Sequence, residues 1–101
     1  MEYENLFDAF HNKEFERVDY FLDHLEEHLC YHQVFTNTMT GDRYEEIFIG
    51  DYLIVEIDQN DDEYTYTLKY IQKRHSNRDI ETIILGTYTI MVTSQTRYLV
   101  D

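Results

Sequence analysis

The sequence predicts an α+β fold: an N-terminal helix or helix pair packed on a curled antiparallel sheet of about five or six strands in meander order. Three observations predict it. Before Gln33, apolar residues recur at steps of three and four, the period of a helix buried on one side. From Val34 onward they alternate, the period of a strand. The alternating runs are joined by short polar turns, which suit hairpins and leave no room for crossover helices.

The elements follow in order. Leu6, Phe7 and Phe10 suggest a first short helix, because Asp8 and His11 interrupt any longer apolar stripe. Phe15, Val18, Leu22, Leu25 and Leu29 form one stripe and predict a long amphipathic helix over 14–33, with Asn12 placed to cap its start. Val34 to Thr40 reads as the first strand and Thr40-Gly41-Asp42-Arg43 as a turn. Tyr44 to Ile49 and Tyr52 to Asp58 flank Gly50-Asp51, a two-residue hairpin signal. Leu53, Val55 and Ile57 mark the core face of the second arm. After the polar turn Asn60–Glu63, Tyr64, Tyr66, Leu68 and Tyr70 line one face of the next strand. His75-Ser76-Asn77-Arg78 turns the chain into a β-branched run from Ile80 to Thr93, bent at Gly86. Arg97 to Val100 adds a short last strand. The order resembles a cystatin-like architecture; a small barrel or a cone-shaped sheet is the alternative.

At 101 residues the chain is one acidic domain, 1–101. It has 43% hydrophobic and 16% aromatic residues, too apolar for a disordered segment. Eight Lys and Arg against 21 Asp and Glu give a formal net charge of −13. The acids crowd forward. Residues 1–33 hold nine against Lys13 and Arg17, and 34–63 hold nine against Arg43. Residues 64–101 hold three against five bases. Such a chain repels phosphates and anionic lipid, so no direct nucleic-acid or membrane binding is expected. It is drawn instead to basic surfaces. There is no run of apolar residues long enough for a membrane-spanning helix, the N-terminus is acidic where a signal peptide is basic, and the lone Cys30 has no disulfide partner. The expected setting is cytoplasmic.

Catalytic and cofactor motifs are missing, and no enzyme activity, cofactor or metal is expected. Three glycines build neither a dinucleotide fingerprint nor a P-loop, and Ser76 and Ser94 lie in no nucleophile elbow. Asp58-x-Asn60-x-Asp62 opens like a calcium loop but has Glu63 where Gly is required and Lys69 where the bidentate Glu is required. His24, His28 and His32 recur every four residues along the expected helix, a spacing that holds a divalent metal or makes a pH-sensitive face. A polar flank that happens to be histidine is the simpler account.

Two acidic groups stand out. Glu16, Asp19, Asp23 and Glu26, with Glu27 beside them, form a row on the expected helix, each step advancing about 5 Å. Phosphates on one DNA strand advance about 3.4 Å, a comparable charge density. Few cations lie near enough to neutralise the row. The second group is Asp58, Asp61, Asp62 and Glu63, extended by Glu45, Glu46, Asp51 and Glu56 and interleaved with tyrosines that include Tyr64 and Tyr66. Carboxylates and flat rings together imitate phosphates and bases. The ordinary alternative in both cases is a solvated face. Lys69, Lys73, Arg74, His75 and Arg78 form the one basic spot, which either balances acids within the molecule, the preferred reading, or pairs with a second subunit in a homodimer.

In composition, though in no alignable motif, the chain resembles the small acidic inhibitors that phages and mobile elements direct at nucleic-acid-handling proteins, anti-CRISPR proteins and other DNA mimics among them. The resemblance implies a stoichiometric inhibitor of a basic nucleic-acid-binding protein, such as a nuclease, CRISPR effector or polymerase. It would bind through Glu16, Asp19, Asp23, Glu26, Glu27, Asp58, Asp61, Asp62, Glu63, Tyr64 and Tyr66. An immunity protein or antitoxin against a basic toxin uses the same electrostatics. A ligand-binding domain using the interior of the curled sheet is the third expectation.

Overall fold

The computed structural model describes residues 3–25, 29–76 and 78–100. Two helices, α1 (Tyr3–His11) and α2 (Phe15–Asp23), precede six strands: β1 (Leu29–Thr36), β2 (Arg43–Ile49), β3 (Leu53–Asn60), β4 (Glu63–Arg74), β5 (Ile80–Val92) and β6 (Arg97–Leu99). The strands pair antiparallel in chain order, β1-β2-β3-β4-β5-β6. The sheet is an open meander with both helices on one face, as the alternation of the sequence predicts; β1 and β6 are its two edges, so it does not close into a barrel.

The helical segment is where expectation and structure part. The long helix predicted over 14–33 stops at Asp23, and Leu29–Thr36 is instead the first strand, with Val34 inside it. The apolar stripe is followed as far as Leu25, which is buried although it lies beyond the helix. After that, Cys30, Tyr31, His32, Val34, Phe35 and Thr36 are weak helix formers, and seven of the residues in Leu29–Thr36 find partners along β2. His24 closes α2, its N–H on Phe21 O and its ring nitrogen 2.6 Å from Tyr20 O. Asn12 caps the end of α1, not the start of α2. Glu14 N–H donates to Ala9 O at 2.8 Å and Lys13 N–H to Phe10 O at 3.2 Å, around Lys13 in the left-handed region (φ 55°). This is the paired-bond helix stop usually built on glycine.

The sheet is laid out by its period of two. Ile47 and Ile49 of β2, Leu53 and Val55 of β3, Tyr66 and Leu68 of β4, and Tyr88 and Ile90 of β5 face the helices and meet Leu6, Ala9, Phe10, Val18 and Leu25 in one core. Gly86 sets how α1 crosses. It lies opposite Leu68, while Lys69 lies opposite Ile84, so Leu85 is an extra residue and β5 bulges there. A Cβ on Gly86 would meet the Phe10 Cβ at 3.3 Å, so the missing side chain lets the helix lie close. The β2–β3 connection is one residue longer than its signal. Ile49 faces Leu53 across Gly50-Asp51-Tyr52, with Gly50 at φ 59° and Tyr52 O held by the Ile71 N–H at 2.7 Å. Asp61-Asp62 is the tight β3–β4 hairpin turn, Asn60 facing Glu63 across it and Asp61 at φ 55°. Among the described residues no helix is long and apolar enough to cross a membrane.

Candidate functional site

A meander gathers alternate turns at opposite ends of the sheet. The β1–β2, β3–β4 and β5–β6 turns share one end; the β2–β3 loop and the β4–β5 turn share the other. The first end is acidic. The Asp62 carbonyl accepts the Val92 N–H at 2.8 Å, Val92 lies opposite Arg97, and the Arg97 guanidinium forms an ion pair with Asp19 on α2. This short chain of contacts ties Asp19 of α2 to the β3–β4 turn; Glu16 acts on the same Arg97, Asp23 shares a cleft with Asp19, and Asp58 lies on the sheet face away from the helices. Glu16, Asp23, Asp58, Asp61, Asp62 and Glu63 are exposed there and form no ion pair among the described residues.

The two cations at that end are engaged internally. Arg43 lies 3.4 Å from Glu45. Arg97 is bound to Asp19, stacks 5.2 Å over the Phe15 ring, and feels Glu16 as well; the Asp19 hydrogen bond is the main reason its pKa is raised.

Three expected contact residues stand elsewhere. Asp19 is not free to imitate a phosphate, because it holds Arg97 and accepts a hydrogen bond from the Tyr66 hydroxyl at 3.3 Å. Tyr66 is 8% exposed, faces the helices and stacks on Tyr88 at 5.1 Å, so it offers no plate to a partner. Tyr64 is half-buried against the same core. Glu26 and Glu27 lie outside the described residues, as does His28. The helical histidine row does not form: His24 ends α2, and His32 sits in β1, 3.5 Å from Glu45. No group of three metal-ligating side chains occurs among the described residues.

The opposite end holds the basic spot. Lys69 reaches back to Glu56 at 2.8 Å and His75 pairs with Glu81. Lys73, Arg74 and Arg78 make no ion pair among the described residues, so the internal balance expected of this cluster is only partial. Asp51, Asp79 and Glu81 lie at the same end, so it is close to neutral, and the negative charge of the molecule is concentrated at the other.

The sheet carries two concavities, the first of them the curled interior expected as an alternative site, though its lining residues were not. On the face away from the helices, Arg74, Arg78 and Ile80 share a groove of about 1190 Å³ with Tyr31, Phe35 and Phe48, so the sheet curls until the β4–β5 tip confronts β1 and β2. Glu46 and Asp51 also line it. The alternation Tyr31-x-Gln33-x-Phe35 is the available signal, but a helix over 14–33 cuts it between Gln33 and Phe35. Between α2 and the sheet lies a smaller cleft of about 550 Å³, lined by Asp19, Asp23, His32, Glu45, Tyr66 and Arg97.

The tyrosines give the structure a pH limit. Burial, first of all, raises the pKa values of Tyr44, Tyr66 and Tyr88 well above the ordinary tyrosine range; Glu56 and Glu46 add to it at Tyr44, and Asp19 at Tyr66. Each folded value exceeds the unfolded one near 10, so their stabilisation is complete below about pH 10 and is lost as pH rises beyond it. Ionisation of Tyr44, Tyr66 and Tyr88, followed by phenolate absorbance, is expected to come together with loss of the folded circular dichroism at high pH. Their ionisation with the fold intact contradicts this.

Tyr88 carries a further cost. It is 4% exposed, and its hydroxyl has no hydrogen-bond partner among the described residues. Tyr88→Phe removes an unsatisfied buried group and keeps the stacked ring, so a stability gain of about 1 kcal/mol in urea unfolding is expected. A loss of that size shows that the hydroxyl is satisfied in solution.

No protein-family profile, curated protein or solved structure matches the chain, so what the site does rests on its own geometry.

Proposed function

We propose that the protein is a stoichiometric inhibitor that occupies the basic nucleic-acid-binding surface of another protein, in the manner of anti-CRISPR proteins and other DNA mimics. One observation carries the reading. Asp58, Asp61, Asp62 and Glu63 crowd the β3–β4 turn, exposed and without an ion pair among the described residues, at the end of the sheet where Arg43 and Arg97 are already engaged, and Arg97 ties that turn to α2 with its exposed Glu16 and Asp23. Like charges held together without counter-charge repel one another and weaken the fold, and a basic partner removes that repulsion. The contact set differs from the sequence expectation by the loss of Asp19, Tyr64 and Tyr66, and Glu26 and Glu27 lie outside the described residues. The same field speeds encounter with a positive groove and repels free nucleic acid. The role is binding rather than catalysis, in a cytoplasmic setting where a nuclease, CRISPR effector or polymerase works. An immunity protein against a basic toxin would use the same end.

Immobilised protein incubated with host lysate at about 50 mM salt is expected to retain a basic nucleic-acid-binding protein, released at about 500 mM as the charges are screened. Retention of only acidic or salt-insensitive partners counts against the reading. The groove on the open face favours a second reading, a ligand-binding domain that uses the sheet interior. That reading gains if reversal of the acidic end leaves partner capture intact.

A further inference from the structure

The two edges of the sheet are protected unequally. β6 is three residues long and begins at Arg97, which is tied to α2. A short, charged edge of this kind resists pairing with another chain. β1 is eight residues long, Leu-Cys-Tyr-His-Gln-Val-Phe-Thr, with no Asp, Glu, Lys, Arg or Pro. In a chain with 29% charged residues, this is the edge that lacks the usual guards. Among the described residues its one strand neighbour is β2. Tyr31, Val34 and Phe35 are 50%, 42% and 51% exposed along it.

We propose that β1 is a dimer edge, pairing antiparallel about a two-fold axis with β1 of a second copy to make one continuous twelve-stranded sheet from two six-stranded ones. The charge distribution selects this occupant. β1 is the neutral strip along which two chains of net charge −13 touch with least like-charge contact. Antiparallel pairing also reverses the second copy end for end. Its acidic end, with Asp42 of the β1–β2 turn leading, then lies beside the nearly neutral end of the first, within reach of Arg74 and Arg78, which share with Glu46 and Asp51 the groove that Tyr31 and Phe35 line. Parallel pairing would instead set acidic end against acidic end. The pairing leaves α2 and the β3–β4 turn uncovered, so it stands whether or not the inhibitor reading does.

Sedimentation of the full chain from about 1 to about 100 µM tests it. The wild type is expected to shift from 12.4 kDa to about twice that mass across the range. Val34→Lys with Phe35→Lys places cations on both faces of the edge and is expected to weaken the dimer at least about 100-fold with the circular dichroism unchanged. Arg74→Glu with Arg78→Glu is expected to weaken it about tenfold. A wild type that stays at 12.4 kDa, a lysine variant that dimerises as tightly as the wild type, or an arginine reversal without effect overturns the proposal. If the lysine variant does not fold, hydrogen exchange of the wild type decides. Protection of the β1 amides that grows with protein concentration supports the edge pairing, and protection independent of concentration overturns it.

Discussion

Reversing four acids at the acidic end, Glu16→Lys, Asp23→Lys, Asp62→Lys and Glu63→Lys, is expected to abolish capture of the basic partner while the protein stays folded. All four side chains are exposed, and none takes part in an ion pair among the described residues. Asp61 is left in place because its backbone is left-handed, a conformation that Asp tolerates better than Lys. Each reversal turns an attraction into a repulsion. Four together are expected to weaken binding by about 10²- to 10⁴-fold, most of it lost again at high salt. Asp19→Lys would be a misleading test, since it breaks the links to Arg97 and Tyr66 that hold α2 on the sheet. Full affinity in the folded quadruple variant would falsify the charge-mimic reading and move attention to the open-face groove.

The largest expected effect on stability is Phe10→Ala. Phe10 is 1% exposed, packs 5.3 Å from the Tyr88 ring and lies on the notch left by Gly86. Truncation opens a cavity where α1 meets β5, at an expected cost of about 3–5 kcal/mol. A domain this size has roughly 5–15 kcal/mol in all, so the variant should be partly unfolded at physiological temperature. Urea unfolding measures it. A loss below about 1 kcal/mol would mean that the helices contribute little to holding the sheet together.

The sheet was legible in the sequence because its turns are chemically marked. Gly41, Gly50, Asp61-Asp62 and Ser76 punctuate it, and Leu53-x-Val55-x-Ile57 shows its buried face. The α2–β1 junction was not. Leu22, Leu25 and Leu29 satisfy a helical stripe, and the choice of strand from Leu29 on depends on β2, whose contacts local spacing does not report. The helix expected over 14–33 creates the three-histidine row and separates Tyr31 from Phe35 and Phe48, with which it lines the groove. The sequence shows the acids as two separate groups, a helical row and a turn cluster, and the Arg97 link between α2 and the turn is what spacing does not show. Asp19 and Arg97 are 78 residues apart in the chain. Tyr66 was misplaced for a related reason: alternation shows that it shares a face with Leu68, but not that helices cover that face over the tyrosine.

The most direct measurement of the central claim is displacement. The captured partner, loaded with a fluorescent duplex or guide nucleic acid, is titrated with the protein while anisotropy is followed. Stoichiometric release of the nucleic acid is predicted, with the quadruple lysine variant inactive. A stable ternary complex, with the nucleic acid still bound and the protein beside it, would contradict the account.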